Sequence, residues 1–415
     1  MKIANTLKSN KLYRWIDLSL LNLCLVALIG LVLRSKIVFP LPFINYNYLL
    51  EAHAHFSFGG WATLILLVLV VHELLPESIS GRPIYQWFLG AVAILSWGML
   101  FSFTIWGPGG ISEGISFIFV FLTYLFGSML IRDLYKAKLN SSITLLAVSA
   151  IICLILSSSG LITISYITHS KSLDFVLYRD ALFTYLHFQY NGFFTLAILA
   201  LLFNHIHQRI SLYAAKRIRM FSIVVTISVL PSLFLSYLWQ DPNIWFRIIA
   251  IAGSFLLLIC FYLFLLVTVS LKDVFLKEAA VIRFLLMISL GSFMLKVVLQ
   301  SFTIVPAIGN AIFGNRPVIM GFLHLVFLAF VTLFLLAYLT RIHVLNGKIR
   351  FTGIALVVFA IAVVLNESLL ITLGITTMFT GASSIFSWLL WMIGLLLFIG
   401  TLLLVISRIR SKQIP

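Results

Sequence analysis

Hydrophobic runs long enough to cross a lipid bilayer recur along the whole of this 415-residue chain. The hydrocarbon core of a bilayer is about 30 Å thick, so a crossing helix needs about 20 apolar residues. This length predicts twelve helices, at approximately 16–37, 47–73, 84–105, 111–132, 141–168, 180–206, 218–239, 243–270, 282–306, 317–340, 351–373 and 383–407. Open backbone hydrogen bonds are too costly in lipid for these segments to be strands. We therefore predict an all-α polytopic membrane protein, with residues 1–415 as a single transmembrane domain.

The composition agrees with a chain that is solvated by a lipid bilayer. Hydrophobic residues make up 62% of it and charged residues only 10%. The net charge of +16 could indicate nucleic acid as a partner, but the basic residues fall in short clusters between hydrophobic runs, so we predict no nucleic-acid partner. Cys24, Cys153 and Cys260 each stand alone in an apolar run, which supports neither a disulfide framework nor a thiolate metal site.

The distribution of Lys and Arg predicts the orientation in the membrane. Of the 28 basic residues, 21 fall on the side that holds the N-terminus, 6 on the other side, and Lys296 lies inside a helix. Cytoplasmic loops carry the excess of Lys and Arg. We therefore place both termini in the cytoplasm and predict the bacterial inner membrane, with the first apolar run retained as a helix rather than removed as a signal peptide.

Polar residues inside the predicted helices share one depth. They lie about 4–10 residues below the outer boundary, or roughly 6–15 Å at 1.5 Å per residue. Helices 2, 6 and 10 carry the histidines, and helices 9 and 11 carry further polar groups. The set comprises Glu51, His53, His55, His187, Tyr190, Asn191, Lys296, Gln300, His324, Asn366 and Glu367.

This polar layer has a plain alternative explanation. A single histidine in a membrane helix often serves only as an interhelical hydrogen-bond donor. Four histidines at one depth, on helices spaced by four, favour a functional site instead. The histidines at the predicted helix ends are expected to be solvated; these are His72, His169, His205, His207 and His343.

Helix geometry separates the two histidines of the segment "EAHAHFSFGGW". Two residues correspond to about 200° around a helix, so His53 and His55 cannot both face one partner. His55 shares a stripe with Glu51 and Gly59. At least one of the two histidines therefore has a second role.

These features resemble subunit I of the haem–copper oxidases and nitric oxide reductases. That family has twelve helices with both termini inside and histidines near the outer surface on helices 2, 6 and 10. The "HAH" of helix 2 followed by "FSFGGW" is also similar to the His-x-His start of NnrS-type haem- and copper-containing membrane proteins. The resemblance implies haem, and also copper, as cofactors: His53 or His55 and His324 as axial haem ligands, and His187 as a copper or second-site ligand.

The sequence departs from that family at its binuclear centre. The helix-6 motif His-Pro-Glu-Val-Tyr is reduced to "HFQYN", and the histidine pair expected around helix 7 is absent from "VLPSLFLSYLWQDPN". Helix 10 offers only His324, where an oxidase needs two histidines. If the chain is an enzyme, the resemblance implies an oxidoreductase with a redox, nitric-oxide or oxygen-related role, but not a complete oxygen-reducing oxidase.

Other residues leave several functions open. Arg179, Arg247 and Arg316 lie at the outer boundary, where haem propionates would lie, although interfacial anchoring explains them equally well. Lys296 and Glu367 would form a buried ion pair or serve as stations for protons. Two alternatives therefore stand beside the haem hypothesis: a proton-coupled transporter that uses Glu51, His55, His187, Lys296 and Glu367, and a non-catalytic partner of other respiratory subunits or of an electron donor.

Overall fold

Helices account for 88% of the structure, a computed structural model. It describes residues 2–240, 242–379, 381 and 383–413, and this part of the chain contains no strand. Twelve helices within these residues are long and apolar enough to cross a membrane, which confirms the predicted all-α polytopic fold. In chain order α1 to α12 are Leu12–Val38, Tyr46–Leu74, Pro83–Trp106, Gly110–Lys136, Ser141–His169, Phe175–Arg209, Leu212–Gln240, Ile244–Ser270, Ala280–Phe302, Arg316–Arg341, Arg350–Thr377 and Ser384–Arg410.

Polar side chains fix the beginnings of the three helices that carry the predicted histidine site. The first N–H groups of a helix have no partner within the helix, and a side-chain oxygen just before it can accept from them. Asn45 caps α2, Asp174 caps α6 and Asn315 caps α10, through the backbone N–H groups of Tyr48, Leu177 and Val318 at 3.2, 2.8 and 3.2 Å. The caps set where each helix starts and hence the height of each histidine above that start.

Contacts divide the chain into two compact units. The first comprises Met1–Leu122, Ala280–Ile288 and Thr332–Pro415, and the second comprises Thr123–Ala279 and Ser289–Val331. Within the first unit α1 and α11 both pack against α12, and α2 packs against α3. Within the second unit α5 packs against α6, and α7 packs against α8.

Small residues allow helices of the second unit to approach closely. A Cβ atom built on Gly160 of α5 would lie 2.8 Å from the backbone nitrogen of Tyr185 on α6, and it would also meet the carbonyl oxygen of Ala181. On α8, a Cβ atom at Gly253 would lie 2.6 Å from the carbonyl of Pro231 on α7. Without a side chain at these positions, backbone packs directly on backbone, which is how small residues serve membrane helices.

Candidate functional site

The most enclosed spans are α2, α6 and α10, which follow one another at intervals of four helices. Their apolar windows are 83%, 94% and 61% buried, whereas no other span exceeds 56%. In each of them α-helical hydrogen bonding gives way to a π-helical segment next to a histidine. His187 directly precedes Phe188–Phe194, His324 directly precedes Leu325–Thr332, and His55 stands two residues before Ser57–Thr63. π-helical turns are rare and occur mostly at functional sites. This recurrence therefore indicates that the part of each helix that carries its histidine is a candidate functional position.

His53 and His55 face different neighbours, as their spacing predicts. His53 lies against α1, where a Cβ atom built on Gly30 would come within 3.3 Å of the His53 Cε1 atom. The His55 ring instead stacks on Phe103 of α3, with centroids 4.3 Å apart and planes 11° apart. Its Nε2 atom lies 3.9 Å from the carboxylate of Glu51. The absence of a side chain at Gly30 therefore makes room for the ring of His53 alone.

The π-helical segment after His55 is supported by polar side chains of the same unit. The fully buried Asn22 of α1 donates to the carbonyl oxygen of Gly60 at 2.7 Å. Trp61 donates through its indole N–H to the hydroxyl oxygen of Thr332 at 3.1 Å. An unsatisfied polar group in hydrocarbon costs several kcal/mol, so these bonds stabilise a stretch where regular helical pairing is interrupted.

Three polar residues form a linked cluster between α1 and α11. Arg34 donates to the side-chain oxygen of Asn366 at 2.6 Å and to the carbonyl oxygen of Leu390 on α12 at 2.6 Å. The amide of Asn366 donates in turn to Oε1 of Glu367 at 3.0 Å. Glu367 is only 7% exposed, and its second oxygen, Oε2, is buried and accepts no hydrogen bond from any described residue. Asn366 thus connects a guanidinium group to a buried carboxyl group.

His187 is bonded on both sides of its ring within the second unit. Its Nε2 atom lies 2.7 Å from the carbonyl oxygen of Val229 on α7 and therefore donates to it. The Nδ1 atom is then the acceptor, and it takes a hydrogen bond from the amide of Asn191 at 3.0 Å. Both ring nitrogens are thus hydrogen-bonded to protein groups, and the copper role of His187 stays a prediction. Tyr190, between His187 and Asn191 in the chain, is also buried.

His324 has a fixed ring orientation in the same unit. Its Nδ1 atom lies 2.7 Å from the carbonyl oxygen of Met320, one turn earlier on α10. Because a carbonyl oxygen can only accept, Nδ1 carries the proton, and Nε2 of the neutral ring carries the lone pair. This is the tautomer that an axial metal ligand requires, held by the kind of backbone bond that ligating histidines make.

The polar residues of α9 are buried in the second unit. Lys296 is 2% exposed, and its Nζ atom lies 3.5 Å from the hydroxyl oxygen of Thr195 on α6. Gln300 is 7% exposed. Since Glu367 belongs to the first unit and Lys296 to the second, the ion pair between them stays a prediction.

The three arginines that were expected to meet haem propionates have different surroundings. Arg179 donates to the carbonyl oxygen of Phe313, and its guanidinium group lies 4.3 Å above the ring of Trp239. Arg316 is exposed at the first turn of α10, and Arg247 is partly exposed at the start of α8. Arg179 therefore has a packing role that the sequence did not reveal.

One of the histidines expected to be solvated is buried. His72 is 3% exposed within a second π-helical segment of α2, Val70–Leu74. The expectation was wrong because α2 is buried without interruption from Phe56 to His72, so proximity to its end does not bring solvent. His169, His207 and His343 are exposed as expected.

Arg34 is a functional candidate that sequence reasoning missed. It was counted only as a charge at the end of helix 1, because Ser35 and Lys36 follow it. One available signal was its position four residues after Gly30, which places both on one face of α1. Its partners on α11 and α12 lie more than 300 residues away and leave no local pattern.

The described residues contain no group of three or more His, Cys, Asp or Glu side chains that could hold a metal ion. No protein-family model matches the chain, and no curated protein is similar enough to be matched.

Proposed function

We propose that this integral membrane protein binds haem, with His53 and His324 each serving as an axial ligand. The observation that carries the proposal is the recurrence of histidines shortly before a π-helical segment in α2, α6 and α10, the most enclosed spans; in α2 both His53 and His55 stand within four residues of that segment. The same three helices carry the histidines of the haem–copper oxidases that the sequence resembles. Copper with His187 as its ligand, which the resemblance also implies, stays a prediction beside this proposal.

The two histidines fit an axial role for different reasons. His324 is held by Met320 in the tautomer that leaves Nε2 as the donor atom. The ring of His53 packs against Gly30 of α1, which admits it because it carries no side chain and so fixes where the ring lies. His55 fits less well, since one face of its ring is covered by Phe103.

Bound haem would supply one-electron transfer or the binding of a diatomic gas such as nitric oxide or oxygen. The protein's own contribution is to orient the ligating rings through Met320 and Gly30 and to exclude water through the enclosure of α2 and α10. An electron donor or another respiratory subunit would be the partner. The excess of Lys and Arg on one side supports a bacterial inner membrane location with both termini in the cytoplasm.

The absorption spectrum of the purified protein tests the proposal. Protein produced with a supply of haem precursor is expected to show a Soret band, which should weaken or disappear in His53→Ala and in His324→Ala. The exposed His169 offers the matched control, and His169→Ala should retain the full band. A colourless wild-type protein, without haem on pyridine extraction, would exclude haem binding.

Filling the space at Gly30 should mimic the loss of His53. Gly30→Val is expected to displace the His53 ring, because even a Cβ atom at this position would lie 3.3 Å from the Cε1 atom of His53. Overpacking costs about 1–3 kcal/mol, which corresponds to roughly 5- to 150-fold weaker retention of haem at the His53 site. Haem content after washing with apomyoglobin measures this retention.

The control for this substitution is Gly114→Val, because a Cβ atom at Gly114 meets nothing within 4 Å. It should leave haem content unchanged. Equal haem retention in Gly30→Val and the wild type would remove His53 from the proposed ligand set.

A further inference from the structure

We propose that Glu367 is a proton-binding site, which takes up a proton on Oε2 and is linked to Arg34 through Asn366. The carboxyl group is 7% exposed and lies within α11, a span with no other acidic residue. One of its oxygens accepts from Asn366, whereas the other is buried and accepts no hydrogen bond from any described residue. This inference does not depend on haem binding.

The free oxygen makes a proton the fitting ligand. A buried carboxylate is stable only when it is paired and its oxygens are hydrogen-bonded. Oε1 meets that condition through Asn366, but Oε2 does not. Binding of a proton from the aqueous phase to Oε2 neutralises the carboxylate, and its release restores the negative charge, so one proton is taken up or released per cycle.

Arg34 gives the deprotonated form a counter-charge. Its guanidinium group donates to the oxygen of Asn366, whose amide donates to Glu367, so the cation and the carboxylate are bonded to the same side chain. Charge-assisted hydrogen bonds of this kind are stronger than neutral ones. The cluster therefore carries no net charge when Glu367 is deprotonated and a charge of plus one when it is protonated.

Other titratable side chains lie away from this carboxyl group in the described parts of α11, α12 and the end of α1. On α11 the nearest charged residue along the chain is Arg350, at the opposite end of the helix. The part of α12 from Ser384 to Gly400 contains no titratable residue. On α1 the only other charged residue near Arg34 is Lys36, which donates to the carbonyl of Leu41. Among the described residues of α1, α11 and α12, Arg34 is thus the charged group that reaches Glu367 through hydrogen bonds.

Infrared difference spectroscopy of the purified protein between alkaline and acidic pH tests the site. We expect a carbonyl stretching band of a protonated carboxyl group in an apolar environment, which is lost in Glu367→Gln. The matched control is Glu73→Gln, since Glu73 lies within a span of the same unit and accepts from Tyr338. That control should keep the band. In Arg34→Gln the pH midpoint of the band should differ from that of the wild type.

Several results would overturn the proposal. A wild-type spectrum without such a band does so by itself, even if Glu367→Gln fails to fold. A band that persists in folded Glu367→Gln belongs to another group and does so too. A band that appears only when sodium is omitted would mean that the carboxylate holds a metal cation instead.

Glu367→Asp, which keeps the carboxyl group, should shift the band without removing it.

Discussion

Gly160→Ala is expected to lower the free energy of unfolding by about 3 kcal/mol, at the upper end of typical overpacking costs. The added methyl group would point at α6, 2.8 Å from the backbone nitrogen of Tyr185 and close to the carbonyl of Ala181. Backbone atoms cannot rotate away as a flexible side chain can, so α5 and α6 must separate. Denaturant or thermal unfolding of the detergent-solubilised protein measures the loss.

The matched control for Gly160 is Gly291, in the same unit. A Cβ atom at Gly291 meets nothing within 4 Å. Gly291→Ala should therefore be neutral or stabilising by up to about 1 kcal/mol, because alanine is the better helix former. Equal stability of the two variants would show that α5 and α6 do not approach each other as closely as described.

Replacing His187 with leucine is expected to lower the free energy of unfolding by about 2 kcal/mol. The amide of Asn191 would lose its acceptor, and the carbonyl of Val229 would lose its bond to the imidazole. Val229 keeps a weaker contact from the hydroxyl of Ser232 at 3.3 Å, which limits the cost. Thermal unfolding of the purified protein is the measurement.

The exposed His169 again provides the control, since His169→Leu should change stability by no more than about 0.5 kcal/mol. The comparison also separates two roles for His187. A structural role predicts lower stability with unchanged metal content. If His187→Leu were as stable as the wild type but lost bound copper, the ligand role implied by the family resemblance would be correct.

Hydropathy predicted the existence of the spans better than their ends. The seventh was predicted at 218–239, and α7 extends from Leu212 to Gln240. Its second turn holds Lys216 and Arg217, which lower the hydropathy, while the hydroxyl of Ser211 accepts from the backbone of Ala214 and starts the helix earlier. The helix ends depend on caps and polar turns, to which a hydrophobic window is insensitive.

The candidate site was only partly predictable. The separation of His53 from His55 follows from two-residue spacing, and the structure places them against Gly30 and Phe103. The bonding of His187 could not be foreseen, because Val229 belongs to another helix. Arg34 was missed for the same reason, since its hydrogen-bond partners are distant in the chain.

The π-helical segments divide α2, α6 and α10 into two parts that are rotated about the helix axis relative to a continuous α-helix. Each residue of an α-helix turns the chain by about 100°, and a wider turn absorbs one extra residue. The residues beyond such a turn are therefore rotated by about 100° relative to their positions in a regular α-helix of the same sequence. The histidine half of each helix can therefore present one face while the other half presents a face set by different neighbours. A single-residue deletion within Phe188–Phe194 that converts the segment to regular α-helix would therefore leave Thr195 facing Lys296 while His187 kept its place, whereas the same deletion in a regular α-helix would turn one flank away.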